Sequence, residues 1–240
     1  MWLARALQSQ GFGSRKGCVL RVQSGAVAVN GVVRDDPEFE VDPVGLELTI
    51  DGVTWPYREK AYVLMHKPAG YECSHKPKHY PSVFSLLPSP LIERDVQCVG
   101  RLDQDTTGLL LLSDDGQFIH RMTSPKKGVA KVYRATCADP VDAAMLDALR
   151  AGVLLNDEPA PIAALACEAL DDHSLQLTLA EGKYHQVKRM IAATGNRVDK
   201  LHRVAIGDFV LPATLAPGSW CWLEAADLKQ LEQPWRSVMS

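Results

Sequence analysis

The stretch Gly100-Arg101-Leu102-Asp103-Gln104-Asp105-Thr106-Thr107-Gly108 sets two carboxylates, an arginine and two hydroxyls between glycines, and the apolar run Leu109–Leu112 follows at once. Loops held by rigid strands commonly carry catalytic groups. Three chemistries fit. The carboxylates and hydroxyls can cap their own loop backbone. Asp103-x-Asp105 can serve as nucleophile and acid of a metal phosphatase of the haloacid-dehalogenase type. That type needs a buried strand before the first aspartate and Gly-Thr after the second, where this chain has Gly-Arg-Leu and Thr-Thr-Gly. Or a single carboxylate, Asp103, acts as nucleophile or base beside a cation.

A second segment, Glu181-Gly182-Lys183-Tyr184-His185-Gln186-Val187-Lys188-Arg189-Met190-Ile191, favours the third chemistry. Tyr184, Val187 and Ile191 follow helical spacing. Lys188 falls four after Tyr184 and three before Ile191, which directs it along the inward edge of that face. An inward lysine calls for a carboxylate, since breaking a buried pair costs about 3–5 kcal/mol. Arg189, about 100° further round, is left to face phosphate. Tyr133 stands between Lys131 and Arg134 in an alternating segment, either as a core tyrosine or as a ring on which an everted base stacks.

Two domains are expected to position these groups. Residues 1–56 read as a small helix-and-hairpin module. Leu3, Ala6 and Leu7 form an amphipathic turn that Gly11-Phe12-Gly13 breaks, and Ser14 caps a second helix ended by Ser24-Gly25. Asn30-Gly31 between β-branched residues is a strong hairpin signal, and Leu46–Ile50 alternates as a further strand. Residues 60–240 mix elements irregularly. Strands are expected at Ala61–His66, Leu109–Ser113, Val132–Cys137, Ile162–Glu168 and Ser174–Ala180, and helices at Gln117–Thr123, Val141–Ala151 and Tyr184–Thr194. Strand pairs are not regularly separated by crossover helices, so the fold class is α+β with a largely antiparallel sheet rather than a doubly wound one.

Hydrophobic residues at 46% and charged residues at 23% exclude general disorder. No apolar run approaches the roughly 20 residues of a membrane helix. The six cysteines form no Cys-x-x-Cys pair, so neither a zinc cluster nor a dense disulfide framework is expected. The net charge of −3 hides a sorting along the chain. Met1–Arg34 carries five bases and no acid, Asp35–Glu59 eight acids and one base, Gln117–Cys137 five bases and no acid, and Lys183–Arg203 six bases and one acid. Local field attracts a polyanion more than the sum does. RNA contacts are therefore expected from Arg15, Lys16 and Arg21 in the first run and Lys126 and Lys127 in the second. An acid-free, arginine-bearing start is also found in organelle transit peptides, but this one runs straight into a patterned hairpin. A cytoplasmic monomer with no membrane partner is the expectation.

The helix, Ser-Arg helix and Ser-Gly-x-Val-x-Val-Asn-Gly pattern resembles the S4 RNA-binding domain. Beyond it, five groups of residues occur together in order. They are His66-Lys67-Pro68-x-Gly70-Tyr71 with Cys73-Ser74, Gly100–Leu109, Asp114-Asp115-Gly116-Gln117 with His120-Arg121-x-Thr123-Ser124-Pro125, Lys131-x-Tyr133, and Glu181–Met190. In this combination the chain resembles the RsuA-type family of ribosomal pseudouridine synthases. The resemblance implies that Asp103 is the catalytic residue, that Lys188 pairs with it, that Tyr133 stacks on the base and that Arg101 fills the space left by the extruded uridine. It also implies a ribosomal RNA partner and no cofactor or metal, since bonds are exchanged within one nucleotide. The wording Asp105-Thr106-Thr107 and Thr123-Ser124-Pro125 points to the small-subunit (16S) enzyme. A large-subunit enzyme of the same kind, or a non-catalytic assembly factor that binds ribosomal RNA, are the alternatives.

Overall fold

Local chemistry shapes the N-terminal elements first. In the computed structural model, which describes residues 1–233, helices α1 (Leu3–Ser9) and α2 (Arg15–Gln23) flank the Gly11-Phe12-Gly13 break. Ser14 Oγ accepts from Gly17 N at 3.2 Å, so the expected cap forms. Strands β1 (Val27–Val29) and β2 (Val32–Val33) turn through Asn30 and Gly31, whose φ values of 47° and 81° are what a tight hairpin of this hand requires. Strands β3 (Glu47–Ile50) and β4 (Val53–Pro56) complete a sheet of order β2-β1-β3-β4, antiparallel throughout.

The chain packs as two compact units, Met1–Ala61 with Leu87–Gln97, and Tyr62–Leu86 with the chain from Cys98. The sequence reading places Leu87–Gln97 with the second domain; it packs with the first unit instead. A buried glutamine is one of the ties. Gln10 Oε1 accepts from Arg94 Nη1 and from Arg58 N, both at 3.0 Å, and Arg94 Nη1 also donates to Arg58 O at 2.8 Å. Trp55, stacked edge-on to Phe12 at 5.5 Å, closes the same core.

In the second unit seven strands run along one sheet: β5 (Tyr62–Lys67), β6 (Thr107–Ser113), β7 (Lys131–Cys137), β8 (Ala166–Asp171), β9 (Ser174–Leu179), β10 (Val198–Ile206) and β11 (Trp220–Trp222), in the spatial order β11-β5-β6-β10-β7-β9-β8. Leu109–Leu112 are all fully buried, which places β6 in the interior with both faces covered. Leu109 and Leu111 pack with Leu64, Phe118, Met122, Ile206 and Phe209; burying each such side chain contributes about 1.5–3 kcal/mol. Helix α3 (Gly116–Thr123) starts at Asp115, which accepts from Gln117 N and Phe118 N. Helices α4 (Ala143–Ala151) and α5 (Gln186–Ala193) follow, α5 beginning two residues later than its apolar spacing suggests.

All neighbouring pairs along this path are antiparallel except β6 and β10, which run parallel over two registered pairs, His202 with Thr107 and Arg203 with Gly108. There the two backbones meet closely. Gly108 has φ 106°, and a Cβ at that position would lie 2.2 Å from the Arg203 carbonyl oxygen, so glycine is required on both counts. No helix of the described residues is long and apolar enough to cross a membrane.

Candidate active site

The loop before β6 and the turn before α5 converge on one cleft. Its lining includes Arg101, Asp103, Thr106, Lys131, Tyr133, His185 and Arg203. Lys188 Nζ lies 3.2 Å from Asp103 Oδ2. The same ammonium is closer still to Asp105, at 2.7 Å from Oδ1 and 2.9 Å from Oδ2. Lys188 thus bridges both carboxylates of the loop, with Asp105 the tighter partner. The second Asp103 oxygen, Oδ1, is 3.2 Å from His185 Nε2.

The electrostatics follow from that bridge. Burial works to raise the Asp105 carboxyl, but the Lys188 ammonium reverses it and holds the group below the ordinary carboxylate value. For Lys188 burial works downward and is outweighed by hydrogen bonding to Asp105 and the charge of Asp103, so the ammonium is held above its usual value.

Two groups fix the loop from behind. Lys67, at the end of β5, is fully buried, and its ammonium donates to the carbonyls of Pro68 at 3.1 Å, Gln104 at 3.2 Å and Thr106 at 2.9 Å. Gly70 N also donates to Gln104 O, at 2.8 Å. Arg203, on β10, is 2% exposed; its Nε donates to Leu109 O at 2.8 Å and its Nη1 to the Tyr133 hydroxyl at 3.5 Å, while Nη2 is buried with no hydrogen-bond partner among the described residues. Tyr133, itself 8% exposed, is packed and also forms part of the cleft wall.

The other residues singled out from the sequence are dispersed. Arg101 is exposed on the cleft. Arg189 does not line it; its guanidinium donates to the carbonyls of Tyr184 and Asn156. Lys126 and Lys127 are exposed in the short turn Pro125–Lys127. In the first unit Arg15 and Lys16 are exposed on the opening turn of α2, Arg15 beside a groove that Trp2 and Arg5 also line, and Arg21 pairs with Asp51 at 2.6 Å. Tyr184 is a correction: it is 71% exposed, precedes α5 and stacks on His185 at 3.8 Å, so it does not share the buried face of Val187 and Ile191. Sequence reasoning missed His185, Lys67 and Arg203. The His-Lys-Pro run before the loop was the available signal for Lys67.

Lys131 yields a pH-dependent expectation. Burial first, and the charge of Arg203 second, bring its ammonium down to about 8 from 10.5. The unfolded chain then holds this proton where the folded chain has released it, so stability rises with pH between 8 and 10.5. Lys131→Met is expected to stabilise the fold by about 1–3 kcal/mol below the lower value and to lose that advantage above the upper one. Urea melts across pH read it; a constant offset at every pH would show that this burial is not costly.

Comparisons with known proteins identify the family. Residues 61–193 match the RNA pseudouridylate synthase family and residues 1–48 the S4 domain. The chain is 41% identical to ribosomal small subunit pseudouridine synthase A of Pasteurella multocida, covering 86% of this chain and 89% of that one. It is 37% identical to the protein of the same name in Escherichia coli, covering 83% and 86%. A crystal structure of a pseudouridylate synthase superimposes with a TM-score of 0.68 at 36% identity, covering 96% of this chain and 99% of the other. With the S4 module ahead of a mixed, mostly antiparallel sheet and the matched segment containing the Asp103 loop, the chain belongs to the RNA pseudouridylate synthase family.

Proposed function

We propose that this pseudouridine synthase isomerises a uridine of small-subunit ribosomal RNA in the cytoplasm, with Asp103 as the catalytic carboxylate. The observation that carries the reading is the placement of Asp103 on the cleft wall, one oxygen 3.2 Å from Lys188 Nζ and the other 3.2 Å from His185 Nε2. Both neighbours orient the carboxylate, which acts as the anion. In that form it either adds to C1′ of the uridine or takes the C2′ proton as the N1–C1′ bond breaks. The freed uracil turns and rejoins through C5. Tyr133 stacks on the base, backed by Arg203, and Arg101 fills the space that extrusion leaves. Extrusion costs a few kcal/mol of stacking, which phosphate contacts from the exposed Arg15, Lys16, Lys126 and Lys127 offset.

The small-subunit target rests on the names of the relatives above and on the Asp105-Thr106-Thr107 wording. Carbodiimide-dependent reverse-transcription stops, mapped in ribosomal RNA from cells with and without the gene, test it. One stop lost from small-subunit RNA is the expected result. A stop lost from large-subunit RNA instead would move the substrate, and no lost stop would remove ribosomal RNA as the target.

A further inference from the structure

Of the charged residues that line the cleft, Arg203 is the most deeply buried, and the chain does not satisfy it. Its Nε donates to Leu109 O and its Nη1 to the Tyr133 hydroxyl, which leaves Nη2 without an acceptor. Among the described residues the guanidinium joins no ion pair: of the cleft's carboxylates, Asp103 faces Lys188 and His185, and Glu181 faces Lys183. Strand register explains the placement. Arg203 lies opposite Tyr133 across β7 and β10 and opposite Gly108 across β6 and β10, so the three share one face of the sheet. With no side chain at Gly108, that face is open for the guanidinium to reach the next carbonyl, Leu109 O. Two residues before Gly108, Thr106 lines the same cleft and is 1% exposed. Its Oγ1 is also buried with no hydrogen-bond partner among the described residues. Burying a polar group unpaired is destabilising, so native chains leave few such atoms. Two of them lining one cleft, one carried by a cation, call for an electron-rich partner that arrives from outside.

We propose that Arg203 Nη2, together with the Thr106 hydroxyl, receives a carbonyl oxygen of the everted uracil and stabilises the negative charge that oxygen gains when the N1–C1′ bond breaks. This role rests on the proposed entry of the uridine beside Asp103 and Tyr133. Arg203 Nη1 is tied to the Tyr133 hydroxyl, so a base stacked on that ring brings its own edge toward the same guanidinium, while its phosphates stay with the RNA backbone. As the bond breaks, its electron pair leaves with the uracil and spreads over O2 and O4. C1′ is compensated by a bond to Asp103 or by loss of the C2′ proton to it. When C5 bonds to C1′, that electron pair forms the new bond, and Asp103 departs from C1′ or returns the C2′ proton. The C5 proton leaves and N1 takes one up, so the product is an isomer of the substrate. The anion exists only between the two bonds. A fixed cation shielded from water therefore favours the transition state over the neutral starting base. Lys131, which lines the same cleft and donates to Val129 O at 2.8 Å, adds a second positive charge.

Single-turnover reactions of the full-length protein test it, on a small-subunit RNA transcript made either with uridine or with 5-fluorouridine. Chromatography of nuclease digests follows consumption of the target nucleoside. Arg203→Met is expected to slow the uridine reaction about 10²–10³-fold, the scale for loss of one donor to a developing oxyanion, with filter-binding affinity retained, and Arg203→Lys to recover part of the rate. Thr106→Val removes a hydroxyl that has no partner in the free protein. It is therefore expected to leave the melting temperature no lower, yet to slow the reaction about 10-fold. Fluorine withdraws electrons and makes the departing uracil a more stable anion, so both deficits are expected to shrink on the fluorinated RNA. A folding defect would slow the two RNAs alike. Should Arg203→Met fold poorly, Arg203→Lys and Thr106→Val carry the comparison. Equal deficits on the two RNAs, or an unaltered rate for Thr106→Val on uridine, would overturn the proposal. Full turnover by Asp103→Asn would remove the reading of this cleft, whereas an inactive Asp103→Asn beside unimpaired Arg203 and Thr106 variants would remove the leaving-group contact alone.

Discussion

Asp103→Asn is expected to lower pseudouridine formation by about 10⁴-fold or more, the upper range for loss of a positioned acid, base or nucleophile, with RNA affinity largely retained. The amide is nearly isosteric and still fits beside Lys188 and His185, each 3.2 Å from a carboxylate oxygen. It cannot add to C1′ as an anion or accept the C2′ proton. The neighbouring Asp105 does not replace it, because both its oxygens are within 2.9 Å of the Lys188 ammonium. Tritium release from C5-labelled RNA gives the rate and filter binding gives the affinity. Full turnover by the variant would remove Asp103 from the chemistry.

Lys188→Met should act on rate and stability together. Losing a preorganised charge beside a reacting group lowers kcat by about 10²–10³-fold. The stability cost is smaller, about 1 kcal/mol, because Asp105 is 54% exposed and solvent screens the pair. The pH dependence separates this from a general packing defect. Asp105 is held below its ordinary value of 3.8, so its share of the stabilisation is present above that pH and is lost as pH falls further. Lys188 is held above 10.5, so its share is complete below that pH and fades as pH rises through the raised value. The gap between the two proteins is therefore expected to be widest between these limits and to close at both ends. Lys188→Arg should recover part of the rate. A gap independent of pH, or an unchanged kcat, would detach the ammonium from the two carboxylates.

How far the sequence discloses this site depends on how local each determinant is. The Asn30-Gly31 hairpin, the Ser14 cap and the run Leu109–Leu112 are decided by neighbours in the chain, and each takes the expected form. Strand β10 does not declare itself. Asp199, Lys200, His202 and Arg203 break the apolar alternation that marks a half-buried strand, although Leu201, Arg203, Ala205 and Ile206 are the buried positions. Arg203 is tolerated inside because Leu109 O and the Tyr133 hydroxyl meet it, from residues 94 and 70 positions away. His185 reaches Asp103 from a left-handed turn, φ 47°, that helical spacing does not anticipate. Helical spacing puts Tyr184, Val187 and Ile191 on one face, yet Val187 and Ile191 are buried and Tyr184 is not. One tie of Leu87–Gln97 to the first unit is the buried Gln10, which no composition shift announces.

The Lys67 clamp has a consequence for which substitutions the catalytic loop can absorb. Its three acceptors are main-chain oxygens, and a main-chain oxygen is present whatever side chain a position carries. Gln104 can drift among residue types while the grip on its carbonyl persists, whereas any change at Lys67 releases all three points at once. Tolerance is thereby granted to the loop's side chains and withdrawn from one distant lysine, so variation among related chains should spare residue 67 more strictly than residue 104.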